Sequence, residues 1–260
     1  MSSTSEKQLE PCSLKSITVV LPAFNEAENI KVSLDKVRAF LPGISSDWEI
    51  IVVNDGSDDN TEWIVKTLAK TEPRIKCFNH AVNRGYGAAL QTGIFEAHKE
   101  FIFFMDSDGQ FDVGELPRLI EHINQYDIVA GYRQKRQDPW HRRFNAWGWN
   151  RLVRLVLGVS IIDIDCAFKL FHRSVFDKVL IRSLGAMVNT EILAQAKRFD
   201  LSIKEVPVTH YARMHGNPTG AKLHVIIKAF RELMKLAWKL RAVRPNQKGI
   251  LHGRPTVAHP

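Results

Sequence analysis

The stretch Phe-Ile-Phe-Phe-Met-Asp-Ser-Asp-Gly-Gln, residues 101–110, runs five large apolar residues straight into a polar turn that carries two carboxylates. Continuous apolar runs of that length, rich in aromatic or β-branched side chains, form strands buried on both faces. Phe101 to Met105 therefore reads as a buried strand, with Asp106 and Asp108 just beyond its carboxyl end. The same arrangement occurs twice upstream. Ile17 to Leu21 leads into Pro22, Ala23, Phe24, Asn25 and Glu26, and Glu49 to Val53 leads into Asn54, Asp55, Gly56 and Ser57. Helix-spaced apolar residues fill Glu26 to Phe40 and Asp58 to Lys70, an Ala-rich helix starts at glycines in Gly85 to His98, and Tyr126 to Ala130 adds a further strand. This alternation predicts an α/β fold, a Rossmann-like and mostly parallel sheet flanked by helices. Such sheets bind ligands at the carboxyl ends of their strands. The polar residues cluster there, so one shared site is expected.

The chemistry of that site starts from the carboxylates. Asp106 and Asp108, one residue apart beyond a buried strand, can place oxygens on one hard divalent cation, with Gln110 as a neutral third ligand. An ordinary Asp-Ser-Asp-Gly turn with local hydrogen bonds has the same composition, and it is the recurrence of polar residues at the other strand ends that favours a site. Asp55 lies at the sheet rim while Asp58 or Asp59 caps the next helix, which leaves Asp55 for a nucleobase edge or ribose. Glu26, at a helix start, reads equally as a dipole-stabilised surface residue or as a nucleotide contact.

The 260 residues are 45% hydrophobic and 25% charged, as in ordinary globular proteins. Three unpaired cysteines, Cys12, Cys77 and Cys166, argue against a disulfide framework or a thiolate metal cage and fit a reducing compartment. Met1 to Ser16 is polar, unlike a signal peptide, and no window has the apolar length of a membrane span. The net charge of +8, 36 basic minus 28 acidic residues, points to an anionic partner without choosing among nucleic acid, an acidic membrane and a phosphorylated substrate.

Pro-Ala-Phe-Asn-Glu (22–26), Val-Asn-Asp-Gly-Ser (53–57), Asn-Arg-Gly-Tyr-Gly-Ala-Ala (83–89) and Asp-Ser-Asp-Gly-Gln (106–110) together resemble, in order and spacing, the inverting family 2 glycosyltransferases of GT-A fold. The second half resembles the dolichol-phosphate mannose synthase branch, which moves a hexose from a sugar nucleotide to a polyprenyl phosphate. The matching features are Gly-Tyr-Arg (131–133), Arg142, Asn150, Asp-Ile-Asp-Cys-Ala-Phe-Lys-Leu (163–170), Glu191, and Arg-Met-His-Gly (213–216) followed by Lys222. Ala146 stands where that branch often has Ser, Lys169 replaces its usual Arg, and the Arg213 to Lys222 loop is longer.

The resemblance implies that Pro22, Phe24, Glu26, Val53, Asp55, Asp106, Ser107, Asp108, Arg133, Arg213 and Lys222 contact the nucleotide sugar or the metal. It implies metal ligation by Asp106, Asp108 and Gln110, and catalytic work by Asp108, Arg133 and Arg142, the two arginines drawing in the acceptor phosphate. The expected donor is of the GDP-mannose or UDP-glucose type, the cofactor Mg²⁺ or Mn²⁺, the acceptor a polyprenyl or dolichyl phosphate, and the outcome inversion. The expected organisation is a flexible N-terminus (1–16), a catalytic domain (17–221, with a nucleotide-sugar half 17–133 and an acceptor half 134–221), an amphipathic helix (222–242) and a flexible tail (243–260).

Trp140, Trp147 and Trp149 interleave with Arg142, Arg143, Arg151 and Arg154, and from Leu223 to Arg241 the residues Leu223, Ile226, Ile227, Phe230, Leu233, Met234, Ala237 and Leu240 share one helix face. Both patterns suit the headgroup layer of a bilayer, although such a stripe can equally pack on the protein's own core. The expectation is a peripheral protein on the cytosolic membrane face, with a membrane-embedded partner subunit as a candidate and nucleic acid not expected. Two other readings remain. A transferase acting on a soluble saccharide, glycan or protein hydroxyl would need a general base, for which Asp165 and Glu191 are the candidates. A basic, non-catalytic binding module would leave the spacing of Asp55, Asp106 and Asp108 without purpose.

Overall fold

The computed structural model of the chain describes residues 13–134, 140–211 and 223–242. A sheet of seven strands runs through the centre in the order β3-β2-β1-β4-β6-β5-β7. The strands are β1 (Ile17–Ala23), β2 (Trp48–Asn54), β3 (Ile75–Asn79), β4 (Phe101–Met105), β5 (Ile128–Gln134), β6 (Phe168–His172) and β7 (Ile203–Thr209). β1 pairs in parallel with β2 and β4, β2 with β3, and β5 with β7, while β6 runs antiparallel between β4 and β5. The expected open, mostly parallel sheet is present. The inserted β6 was not expected, because its alternation of aromatic residues with Lys169 reads as a motif rather than as a buried strand.

Alternate side chains leave the sheet on opposite faces, and both faces are covered. Val19 and Leu21, Ile50 and Val52, and Phe103 pack on one side with Ile30, Leu34 and Val37 of α1 (Ile30–Phe40), Val65 of α2 (Thr61–Thr71) and Leu119 and Ile123 of α4 (Pro117–Ile123). Val20, Ile51, Ile102 and Phe104 pack on the other with Leu90 and Ile94 of α3 (Tyr86–Phe95), Val153 of α5 (Trp140–Leu157), Phe176 of α6 (Val175–Lys178), Ile192 of α7 (Val188–Arg198) and Leu233 of α8 (Leu223–Ala242). Each fully buried aliphatic or aromatic side chain contributes about 1.5–3 kcal/mol. This explains why the strands read as unbroken apolar runs: neither face meets water.

At the amino-terminal end of the sheet, Glu49 accepts from Thr18 Oγ1, Lys76 Nζ and the His98 backbone N–H. Its burial is therefore compensated, and it serves packing at the end of the sheet away from the strand-end turns. No described helix is long and apolar enough to cross a membrane. Residues 1–12 and 243–260, most of the expected flexible termini, lie outside the described residues.

α8 divides differently from the expected single stripe. Leu233, Leu236, Ala237 and Leu240 are buried, while the side chains of Leu223, Ile226 and Ile227 lie outside the described portion of the helix. Phe230, Met234 and Trp238, spaced four residues apart, are exposed on the outside of the helix at 48%, 47% and 74%. The helix thus has an inner apolar row that packs on the protein and an outer one that does not.

Candidate active site

The carboxyl ends of β1, β2 and β4 and the start of α3 surround a cavity of about 320 Å³, lined by Pro22, Ala23, Phe24, Glu26, Asp55, Asn83, Gly85, Tyr86, Ala89, Asp106, Ser107 and Asp108. Adjacent parallel strands bring their turns together, which is why residues 22–26, 54–57 and 106–108 meet.

Hydrogen bonds then fix these turns to one another. Asn25, at a left-handed φ of 55°, donates its N–H to Ser57 Oγ and accepts from the Asp58 N–H through Oδ1. Asp59 accepts from Ala27 and Thr61 N–H groups and so ties the start of α2 to the β1 turn, although Asn60 rather than Asp58 or Asp59 is the N-cap residue. Gly56 has φ +69°, and a Cβ there would lie 2.4 Å from the Val82 carbonyl carbon; only glycine lets the β2 turn sit against the segment before α3. Ser107 Oγ donates to the Pro22 carbonyl at 2.8 Å, and Ser33 Oγ donates to the Ser107 carbonyl. Ser107 lines the cavity while its hydroxyl ties β4 to β1.

At the floor lie Asp106 and Asp108. Burial pushes the Asp106 carboxyl up to about 7, and the neighbouring Asp108 charge acts in the same direction; Tyr86, Arg133 and Lys169 oppose both. The Tyr86 hydroxyl is buried beside Asp106 with no hydrogen-bond partner of normal geometry, and burial raises its pKa well above the usual phenol range. Asp108 Oδ1 accepts from the Gln110 N–H. Among the described residues no group of three His, Cys, Asp or Glu is arranged to hold a metal ion. The two mutually repelling carboxylates have the chemistry to share a hard divalent cation whose other positions are filled by further oxygens.

Two expected contacts fall elsewhere. Val53 is fully buried and packs in the core on the α3 side, so its side chain does not line the cavity. Gln110 is likewise absent from the lining: its Nε2 donates to the Tyr211 carbonyl and its own carbonyl accepts the Tyr211 N–H, which tethers the segment after β7. The side chain expected as a third metal ligand is thus engaged in a loop contact.

Asp55 lines the cavity, yet it is not unengaged. Oδ1 accepts from His80 Nδ1 at 2.6 Å and the Arg84 N–H at 3.0 Å, and Oδ2 accepts the Gly85 N–H at 2.7 Å. Burial acts to raise its pKa, and these donors together outweigh it and hold the carboxylate below its ordinary range. Glu26 accepts from Asn29 Nδ2 at 2.7 Å across the first turn before α1. Phe24 stands at the cavity with 43% of its surface exposed.

Arg133, near the end of β5, is held by Asp163: Nε donates to Oδ2 at 2.6 Å and Nη2 to Oδ1 at 2.7 Å. Burial works against its charge, and the Asp163 bonds and charge more than compensate, raising its pKa. Lys169, fully buried on β6, donates to the carbonyls of Ile164 and Cys166 and to Asn189 Oδ1, knotting the turn that carries Asp163 to α7. Burial lowers its pKa. Asn150 donates from Nδ2 to the Ile162 carbonyl and so steadies the same segment. Glu191 does not reach the cavity: its Oε2 accepts the N–H groups of Arg182 and Ser183, which fixes the loop packed on the start of α3. One oxygen of this general-base candidate is thus committed to backbone N–H groups.

Arg213 and Lys222 lie outside the described residues, as do Lys135 and Arg136. The side chains of Trp140, Arg142, Arg143, Ala146 and Trp147 lie outside the described portion of α5. Sequence reasoning missed His80, Thr92 and Asn189, and it quoted Tyr86 without giving it a role. The one available signal was the polar step at the end of β3, where Asn79 and His80 repeat the arrangement of Asn54 and Asp55.

A parallel sheet with its ligand cavity at the strand ends, interrupted by one antiparallel strand, is the architecture of the GT-A glycosyltransferases. Glucosyl-3-phosphoglycerate synthase from Mycobacterium tuberculosis, solved with Mn²⁺, UDP and glucosyl-3-phosphoglycerate, superposes with a TM-score of 0.66 at 20% identity over 89% of this chain and 82% of that one. The chain belongs to glycosyl transferase family 2, whose profile matches residues 18–180. It is 31% identical over 216 residues to undecaprenyl-phosphate 4-deoxy-4-formamido-L-arabinose transferase of Aeromonas hydrophila, covering 82% of this chain and 65% of that one. It is 32% identical over 249 residues to dolichyl-phosphate beta-glucosyltransferase ALG5A of Trichomonas vaginalis, covering 86% and 76%. This chain therefore spans just under two thirds of the length of the first relative.

Proposed function

We propose that the protein transfers a hexose from a nucleotide sugar to the phosphate of a polyprenyl lipid, with inversion at the anomeric carbon. Both relatives carry names of polyprenyl-phosphate sugar transferases. The observation that carries the reading is the carboxylate pair Asp106 and Asp108 at the end of β4, which with Asp55 and Glu26 lines the strand-end cavity. Arg133, held by Asp163 near the end of β5 in the same sheet, is the cation proposed for an incoming phosphate.

Asp106 and Asp108 would hold a divalent cation, Mg²⁺ or Mn²⁺, which neutralises the charge that builds on the leaving diphosphate. Glu26, Asp55 and Phe24 orient the nucleotide at the other wall. An acceptor phosphate oxygen attacks the anomeric carbon from the face opposite the diphosphate; the new C–O bond forms as the old one breaks, and its electron pair leaves with the nucleoside diphosphate. Because that phosphate is already anionic near neutral pH, it needs positioning rather than deprotonation. Arg133 and Arg142 supply the positive charge that draws it in, and Arg213 and Lys222 are assigned to the nucleotide sugar.

A lipid acceptor places the enzyme on a bilayer, and a cysteine-poor chain fits the cytosolic face. α8 supplies the contact: Phe230, Met234 and Trp238 enter the interface, and Arg231, Lys235 and Lys239, each one position further along, meet anionic headgroups. A membrane-embedded partner subunit fits the same face. The test is incubation of the purified protein with Mn²⁺ or Mg²⁺, polyprenyl phosphate and labelled UDP-glucose or GDP-mannose. A labelled, organic-soluble product is expected; transfer only to water-soluble acceptors would contradict the proposal.

A further inference from the structure

Asp55 has two carboxylate oxygens and about four lone-pair positions. His80 Nδ1 and the Arg84 N–H occupy two of them on Oδ1, and the Gly85 N–H occupies one on Oδ2. Among the described residues these are the donors to Asp55, and one acceptor position on Oδ2 is left for a ligand in the cavity that Asp55 lines.

Behind the carboxylate, the His80 side chain is 1% exposed, and its Nε2 meets Thr92 Oγ1 at 2.9 Å. Since a carboxylate only accepts, Nδ1 carries a proton and donates to Asp55, and Nε2 shares a hydrogen bond with the Thr92 hydroxyl. Thr92 is buried on α3, and the His80 backbone N–H donates to the Asn54 carbonyl at 2.9 Å. A polar line therefore runs from α3, past the end of β3, to the end of β2. The proposed sugar transfer uses neither His80 nor Thr92. The terminal torsion of an aspartate is soft, and the two backbone donors, both on one short segment, leave it room to swing. The third donor, itself fixed by Thr92, removes that freedom.

We propose that His80 and Thr92 are positioning residues that aim the one remaining acceptor of Asp55 at a single N–H or O–H donor on the nucleoside of the sugar nucleotide. The proposal rests on the nucleotide-sugar reading of the cavity and adds what sets its selectivity for the nucleoside over the bare diphosphate.

Calorimetric titration of UDP and of GDP with Mn²⁺, beside titration of pyrophosphate with Mn²⁺, tests it in the full chain and in Asp55→Ala, His80→Phe, His80→Asn and Thr92→Val. A hydrogen bond to a charged group is strong enough that its loss should be visible. The expected result is that His80→Phe weakens the tighter nucleoside diphosphate by about tenfold or more, with pyrophosphate changed by less than about twofold. His80→Asn, whose amide can replace the Nδ1 donor, should stay within about threefold of the native protein, and Thr92→Val should fall between. Equal losses for pyrophosphate and nucleoside diphosphate would mean a merely structural role and would overturn the proposal. If His80→Phe fails to fold, Thr92→Val decides alone: it is nearly isosteric, and unchanged nucleoside diphosphate affinity in it contradicts the relay. Unchanged affinity in Asp55→Ala would instead sink the nucleotide reading itself, and the proposal with it.

Discussion

Asp163 holds Arg133 through two parallel bonds, Nε to Oδ2 at 2.6 Å and Nη2 to Oδ1 at 2.7 Å, with only 16% and 7% of the two side chains exposed. A lysine cannot reproduce this fork. Arg133→Lys should therefore raise the KM for polyprenyl phosphate by about tenfold or more while leaving that for the nucleotide sugar within about twofold. Asp163→Asn removes one partner of a buried pair, which costs about 3 kcal/mol of stability, and should show the same acceptor-side defect. Initial rates with each substrate varied in turn check both.

The raised pKa of Asp106, about 7 against 3.8, fixes the sign of one pH dependence. Between these values the folded protein keeps a proton that the unfolded chain has released. This group's contribution to stability therefore falls as pH rises through that window, and the full cost is present above about 7 until a cation arrives. Mn²⁺ should accordingly raise Tm more at pH 8 than at pH 6, and Asp106→Asn should abolish the difference. Asp55 has the opposite sign in a separate window: its lowered pKa adds stability that is lost only as pH falls below 3.8. Thermal melts across pH, with and without Mn²⁺, distinguish the two.

Gly85 sits at φ +101°, and a Cβ there would lie 2.5 Å from the Leu184 carbonyl oxygen while its N–H serves Asp55. Gly85→Ala is strained and obstructed at once, at a cost of about 3 kcal/mol, which lowers Tm by roughly 5 °C or more. Nucleoside diphosphate affinity should fall with it. Gly43→Ala, with nothing within 4 Å of its new methyl, is the control that leaves both unchanged.

The outer face of α8 gives a prediction independent of catalysis. Phe230, Met234 and Trp238 make no part of the core, so Trp238→Ala should weaken co-sedimentation with vesicles containing anionic lipid without moving Tm. Replacing Arg231, Lys235 and Lys239 together by Gln should cost about 3 kcal/mol of binding to the same vesicles and almost none to neutral ones. Binding that survives both changes would remove the membrane role of this face.

The strands β1, β2 and β4 and the polar turns that follow them were legible because a strand buried on both faces and ending at a ligand site has a two-part signature, an apolar run followed by a polar turn. The carboxylate pair of Asp106 and Asp108 was legible for the same reason. β6 was not: Lys169 interrupts its apolar alternation, and only the fold reveals that the ammonium finds two carbonyls and Asn189 inside the protein. Spacing also cannot tell which polar residues are already engaged. Gln110 and Glu191 have the chemistry for a site, yet Gln110 Nε2 is bonded to the Tyr211 carbonyl and Glu191 Oε2 to the N–H groups of Arg182 and Ser183. His80 and Thr92 lie 25 and 12 residues from their partners, and only the topology of β2, β3 and α3 brings them together.

A phosphate acceptor is already anionic near neutral pH and would call for cations to position it rather than for a general base. The most direct measurement offers the enzyme, with Mn²⁺ and a labelled nucleotide sugar, either a polyprenyl phosphate or the dephosphorylated polyprenol of equal length. The account predicts label in the lipid phase with the phosphate and none above background with the alcohol. Equal transfer to both, or transfer to the alcohol alone, would contradict it.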